Sequence, residues 1–290
     1  MFHVKQANTF TLPLADDASL QLERRARPRD YTSLQQRIVV ESTHRFGRLY
    51  LLDGDAMAAE ADEFIIHESL AHLAAFSHPR PVRALVLGGG DGASARELLK
   101  HPSLTRIVIA ELDPQVVTTL SSEIPDLSAG AFENPRVDLR IGDAAAILRQ
   151  LQDSGKRFDL ILFDLTAPDD PACAHLHGDD FLRLCAVSLA PGGLIHIQLG
   201  SPFYQPDKVR TIAHRLRQIF PNITPALIDV PLYGGPWLLA RASLDPPSCA
   251  DEITLADRLT ERRVSSLRYY NAPLHLASAA LPNYVRELLA

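Results

Sequence analysis

The run Gly88-Gly89-Gly90-Asp91-Gly92 follows the apolar stretch Ala84-Leu85-Val86-Leu87 and opens into a helical pattern, Ala95-Arg96-Glu97-Leu98-Leu99. A strand, a glycine turn and a helix in that order cradle a nucleotide, because backbone free of side chains lets a ligand approach the helix N-terminus. About twenty residues on, the apolar run Ile107-Val108-Ile109-Ala110 ends in Glu111-Leu112-Asp113, which sets a carboxylate to accept from both hydroxyls of a ribose. Glycines alone are equally well explained as a tight connection; Glu111 turns the reading toward a nucleoside site walled by Gly88 and Gly90.

The rhythm then repeats. Strand-like runs at Ala84 to Leu87, Ile107 to Glu111, Val137 to Ile141, Phe158 to Asp164 and Gly193 to Gln198 are each followed by helical or loop segments. That alternation predicts an α/β fold with a doubly wound, mostly parallel, Rossmann-like sheet. Ala226 to Val230 and Trp237 to Ala242 are expected to add an antiparallel hairpin at its edge, and the chain after Pro246-Pro247 a helical cap. Upstream, Arg37 to Ser42 and Gly47 to Leu52, with the turn signal Asp53-Gly54, predict a small antiparallel β unit. The expected division is an N-terminal β unit over 1–75, suited to oligomerisation, and a catalytic domain over 76–290. The first thirty residues, with Pro13 and Pro28, show no sustained period.

Composition narrows the partners. A net charge of −6 gives no basic face for a nucleic acid, and no apolar segment reaches membrane-spanning length. The start, Met1 to Gln6, lacks a leader pattern, so a cytoplasmic location is expected, with no membrane partner. Cys173, Cys185 and Cys249 are odd in number and widely spaced, and no histidine pair has ligand spacing such as HExxH; neither disulfides nor a metal are expected.

Ligands of doubly wound sheets sit beyond the carboxyl ends of the strands, and four such ends carry an acid: Asp91, Glu111, Asp143 (followed by Ala144) and Asp164. Converging carboxylates are costly to bury unless cations or donors meet them. Glu111 suits the ribose and Asp143 an adenine amino group, which leaves Asp91 and Asp164 facing whatever lies beyond the nucleoside. The plainer role for Asp143 is to cap the following helix.

From Gln36 to the C-terminus the chain resembles the spermidine synthase family of polyamine aminopropyltransferases. The likeness rests on Gln36-Arg37-Ile38, Leu52-Asp53-Gly54, Asp62-Glu63-Phe64 with His67-Glu68, Gly88 to Gly92, Glu111 to Pro114, Gly142-Asp143, Phe158 to Asp164, Pro191-Gly192-Gly193, Pro231 to Gly234 and the ending Tyr269-Tyr270-Asn271 to Val285. The resemblance implies that Gln36 contacts the nucleoside, that Asp91 meets the ammonium of decarboxylated S-adenosylmethionine, the co-substrate, and that Asp164 is the catalytic carboxylate. It also implies a donor contact for His67, an acceptor amine beside Tyr233, and a homodimer or homotetramer.

Two positions depart from the family pattern. Ala167 stands where an aspartate usually grips the polyamine, and Ile66 where a tyrosine usually precedes His67. An acceptor other than putrescine is therefore expected, with Asp169 or Asp170 as substitute acceptor-binding groups. The same sheet and sulfonium also serve S-adenosylmethionine-dependent methyltransferases, and a non-catalytic nucleoside-binding relative is the third reading.

Overall fold

The computed structural model describes residues 8–165, 173–246 and 250–290. The chain begins with β1 (Thr9–Ala15), β2 (Ala18–Glu23), β3 (Arg29–Thr32), β4 (Arg37–Thr43), β5 (Gly47–Leu52) and β6 (Asp55–Ala59). β1 and β2 form a hairpin, and β3 to β6 an antiparallel four-stranded sheet in chain order. The early hairpin was not legible in the sequence for two reasons. Its two-residue turn, Asp16-Asp17, lacks the usual glycine, and Pro13 reads as a strand breaker although it sits beside a register shift in the ladder.

The remainder is α1 (Glu63–Ser77), β7 (Arg83–Gly88), α2 (Ala93–Leu99), β8 (Arg106–Glu111), α3 (Pro114–Glu123), β9 (Val137–Ile141), α4 (Ala144–Asp153), β10 (Phe158–Asp164), α5 (Asp179–Ser188), β11 (Leu189–Gly200), α6 (Pro206–Ile219), β12 (Asn222–Val230), β13 (Gly235–Ser243), α7 (Glu252–Glu261), α8 (Ala272–Ala277) and α9 (Asn283–Leu288). Seven strands make the central sheet in the order β12-β13-β11-β10-β7-β8-β9. β7 to β11 pair in parallel, and β12 and β13 add the expected antiparallel edge. The winding reverses between β7 and β10, and that switch point is where a doubly wound sheet opens a crevice.

Successive residues of these strands alternate between two cores. Leu85, Leu87, Ile161 and Phe163 pack beneath α4 to α6, while Ala84, Val86, Leu160 and Leu162 pack against α1 and α2. Because its surroundings are buried on nearly every side, α1 carries charges only where backbone donors or cations meet them. The Glu68 carboxylate accepts from the N–H groups of Arg268, Tyr269 and Tyr270, each at 2.8 Å, and so ties the C-terminal segment to the helix. Asp62 accepts from Leu232 N at 2.8 Å, just before Tyr233. Among the described residues no helix is long and apolar enough to cross a membrane.

Candidate active site

At the switch point Asp164, the last residue of β10, is the register partner of Gly88, the last of β7, and Gly89 N donates to Asp164 O at 3.1 Å. This closeness is why Gly88 has no side chain: its φ is +74°, and a Cβ would stand 2.2 Å from Asp164 O. Gly90 serves the neighbouring strand in the same way, since a Cβ there would meet Glu111 Oε2 at 2.7 Å. The turn thus lets two strand-end carboxylates into one cavity of about 1050 Å³, which extends from Gln36 and Glu111 to Tyr233 and Trp237. That volume is ample for a nucleoside and a second small molecule.

The cavity gathers every described residue that the sequence nominates: Gln36, His67, Gly88, Gly90, Asp91, Glu111, Asp143, Ala144, Asp164 and Tyr233 all line it. Asp169, Asp170 and Ala167 lie outside the described residues, as does Cys249.

Glu111 is buried, with Oε1 accepting from Asp113 N at 2.9 Å. Burial raises its pKa, the backbone donors pull it partly back, and it comes to about 7. Gln36 reaches the wall through Asp113, its Nε2 being 3.2 Å from Asp113 Oδ2. Asp143 fulfils the capping role as well as lining the cavity: Oδ1 accepts from Ala146 N at 2.8 Å. Its other oxygen lies 2.7 Å from His175 Nε2, a partner supplied by a short 3₁₀ turn that no sequence signal marked.

Asp91 lies in a tight cluster. Asp91 is 4 % exposed; its Oδ1 accepts from Ala93 N at 2.9 Å, while Oδ2 accepts from the Tyr50 hydroxyl at 3.0 Å and lies 3.5 Å from His67 Nε2. His67 Nδ1 is 2.8 Å from Glu63 Oε2, and Arg96 holds the same oxygen at 2.8 Å. Burial alone would depress the His67 pKa, but Asp91, Glu63 and Asp164 together outweigh it and lift it to about 9. The imidazole is therefore a cation at neutral pH.

Asp164 completes the cluster. Its Oδ2 is buried with no hydrogen-bond partner among the described residues. Burial raises its pKa, His67 draws it down, Asp91 pushes it up again, the Ser94 hydroxyl lowers it, and the balance is about 6. A carboxylate oxygen left without a donor in a buried wall costs free energy that an incoming cation or N–H group relieves.

One atom each of His67, Asp91 and Asp164 lie within 4.8 Å of one another. The three come from separate elements, so no spacing in the sequence announces the cluster, and its size suits an ammonium or a metal ion alike. The aromatic wall beyond is Tyr233, whose hydroxyl donates to Met57 O at 2.5 Å, and Trp237, its ring centroid 4.6 Å away. Ile66, 2 % exposed, brings only methyl groups to this end.

A model of the spermine/spermidine synthase domain matches residues 63–245. A polyamine aminopropyltransferase of Nitrosomonas europaea is 38 % identical over 281 residues, covering 96 % of this chain and 85 % of that protein. Polyamine aminopropyltransferase 1 of Pseudomonas aeruginosa is 37 % identical over 256 residues, covering 88 % of each. Among solved structures, a spermidine synthase in complex with the transition state analogue AdoDATO superposes with a TM-score of 0.86 at 31 % identity, over 94 % of this chain and 91 % of that one. The spermidine synthase of Thermotoga maritima gives 0.84 at the same identity, over 94 % and 90 %.

Proposed function

Since the chain belongs to the spermine/spermidine synthase family, a family of transferases, we propose that its cavity binds decarboxylated S-adenosylmethionine beside an amine and moves the aminopropyl group between them. Methylthioadenosine is the second product. The observation that carries this reading is the buried carboxylate of Asp91 beside the part-buried Asp164, whose Oδ2 is enclosed without a hydrogen-bond partner among the described residues, in the same cavity as Glu111.

In this reading Glu111 accepts from both ribose hydroxyls, Asp143 and Ala144 border the adenine, and Gln36 lies along the nucleoside. Asp91 takes the terminal ammonium of the donor. A sulfonium is already an excellent leaving group, so the protein's task is chiefly to hold a neutral amine behind the carbon under attack. Asp164 orients that amine and removes its proton as the C–N bond forms and the C–S bond breaks; the proton lost from nitrogen balances the positive charge lost from sulfur. An intact S-adenosylmethionine would bring its own carboxylate toward Asp91, and like charges repel. Methyl transfer is disfavoured on that ground.

The direct test offers each donor with putrescine and with longer amines, and reads the nucleoside product by mass spectrometry. Methylthioadenosine is expected from the decarboxylated donor, with no loss of rate in a chelator. S-Adenosylhomocysteine instead would mean methyl transfer, and chelator-sensitive turnover a metal at His67, Asp91 and Asp164.

Glu111 supplies a second expectation. Its pKa is about 7, and two hydroxyl donors stabilise the charged form, so the pKa with nucleoside bound is lower. Methylthioadenosine affinity should therefore rise with pH through 7, with proton release on binding. Glu111→Gln should weaken binding by about tenfold or more, because hydrogen bonds to a charged acceptor are the stronger kind, and should flatten the pH dependence. Calorimetry in buffers of different ionisation enthalpy reads both; unchanged affinity would remove Glu111 from the ribose.

A further inference from the structure

Tyr50 belongs to none of the motifs that mark the site, yet its hydroxyl meets the charged cluster at Asp91. It pairs with Val40 of β4 and Ala58 of β6 in the N-terminal sheet. Its ring packs in the apolar seam with Ile38, Leu52, Ala93 and Val116, and only 5 % of the residue is exposed. The oxygen alone leaves that seam, crossing from the N-terminal sheet to Asp91 Oδ2 of the glycine turn at 3.0 Å.

We propose that Tyr50 is a binding and positioning residue for the donor's aminopropyl chain, fixing the Asp91 carboxylate and offering its own oxygen to the terminal ammonium. This rests on the donor assignment made above. Three features argue for it. Asp91 Oδ1 is engaged by Ala93 N, while Oδ2 is the oxygen on the side of His67, and the Tyr50 hydroxyl holds it in place. A phenol that has donated its only proton keeps two lone pairs, whereas a primary ammonium brings three N–H donors that one carboxylate oxygen cannot satisfy. Finally, burial and the nearby charges of Asp91 and Asp164 hold the phenol pKa well above its ordinary value, so it stays a neutral donor to Asp91 and never a competing anion. His67 Nε2, 3.5 Å from Asp91 Oδ2, approaches that oxygen as a second donor; Ile66 offers the ligand no polar atom.

Tyr50→Phe removes one oxygen and keeps the ring in the seam. Two nucleosides that differ only at the reacting end separate binding from support of the fold: methylthioadenosine, which has no ammonium, and the unreactive adenosyl thioether that carries the 3-aminopropyl chain. In the variant, methylthioadenosine affinity and melting temperature should stay near wild type. Affinity for the aminopropyl thioether should fall about tenfold, the cost of one hydrogen bond to a charged group. The KM for the decarboxylated donor should rise by a similar factor with kcat little changed. Equal losses for both nucleosides would reduce Tyr50 to a structural prop, and no loss for either would take it out of the site; both outcomes overturn the proposal. Wild-type release of methylthioadenosine tests the donor assignment separately, so the two ideas fail in different measurements.

Discussion

Turnover should fall about a hundredfold or more when Asp164 is replaced by asparagine, while methylthioadenosine affinity stays within about twofold. The substitution keeps the volume at the end of β10 but removes both the proton acceptor and the negative charge. Asp164 Oδ2 has no hydrogen-bond partner among the described residues, and asparagine keeps an oxygen for the Ser94 hydroxyl that acts on the carboxylate, so the loss should register in kcat. The pH profile adds a signature that a structural defect would lack. With a pKa of about 6, Asp164 should give wild-type kcat/KM a limb that rises with pH through that region, below the one Glu111 sets near 7, and Asp164→Asn should lose the lower limb and keep the upper. Near-normal turnover would exclude Asp164 as the base and direct attention to Asp169 and Asp170.

The second large effect concerns the acceptor. If Ala167 and Ile66 leave the amine end short of polar groups, wild-type protein should use putrescine poorly and prefer a longer or bulkier amine. Ala167→Asp, alone and with Ile66→Tyr, should then raise the putrescine kcat/KM by about one to two decades, the equivalent of a charge-assisted hydrogen bond to the distal ammonium at roughly 1.5–3 kcal/mol. Ile66 is fully enclosed at the cavity wall, so the single Ala167→Asp variant is the cleaner of the two and the double variant measures what the phenol adds. Efficient use of putrescine by the wild type, unimproved by either change, would mean that another group already holds the distal ammonium.

The strand-end carboxylates were legible because one rule places them. Asp91, Glu111, Asp143 and Asp164 each stand at or just beyond the end of a strand-like run, and a doubly wound sheet sends all such ends to one side. Tyr50 was not legible. In Leu49-Tyr50-Leu51-Leu52 it reads as a core residue, and nearly all of it is one; only its oxygen matters, and periodicity carries no information about a single atom. His67 stood out beside Glu68, and its i,i+4 partner Glu63 lies on the same helix, but Asp91, which further favours the protonated ring, reaches it only through the packing of α1 on the glycine turn. His175 reaches Asp143 across 32 positions from a turn with no periodic signal. The departures at Ala167 and Ile66 were equally visible in the sequence, and of the two only Ile66 falls among the described residues.

Glu68 binds three successive backbone N–H groups that are synthesised about two hundred positions after it. Until those residues arrive, the carboxylate on α1 has no such partners, and the helix cannot settle into its final surroundings without leaving a charge unmet. A growing chain can therefore assemble its central sheet and still lack the clasp that closes over α1. Maturation of the cavity becomes a late event, completed only after Arg268 to Tyr270 leave the ribosome, and nascent chains stalled short of Arg268 should remain open to proteases at α1.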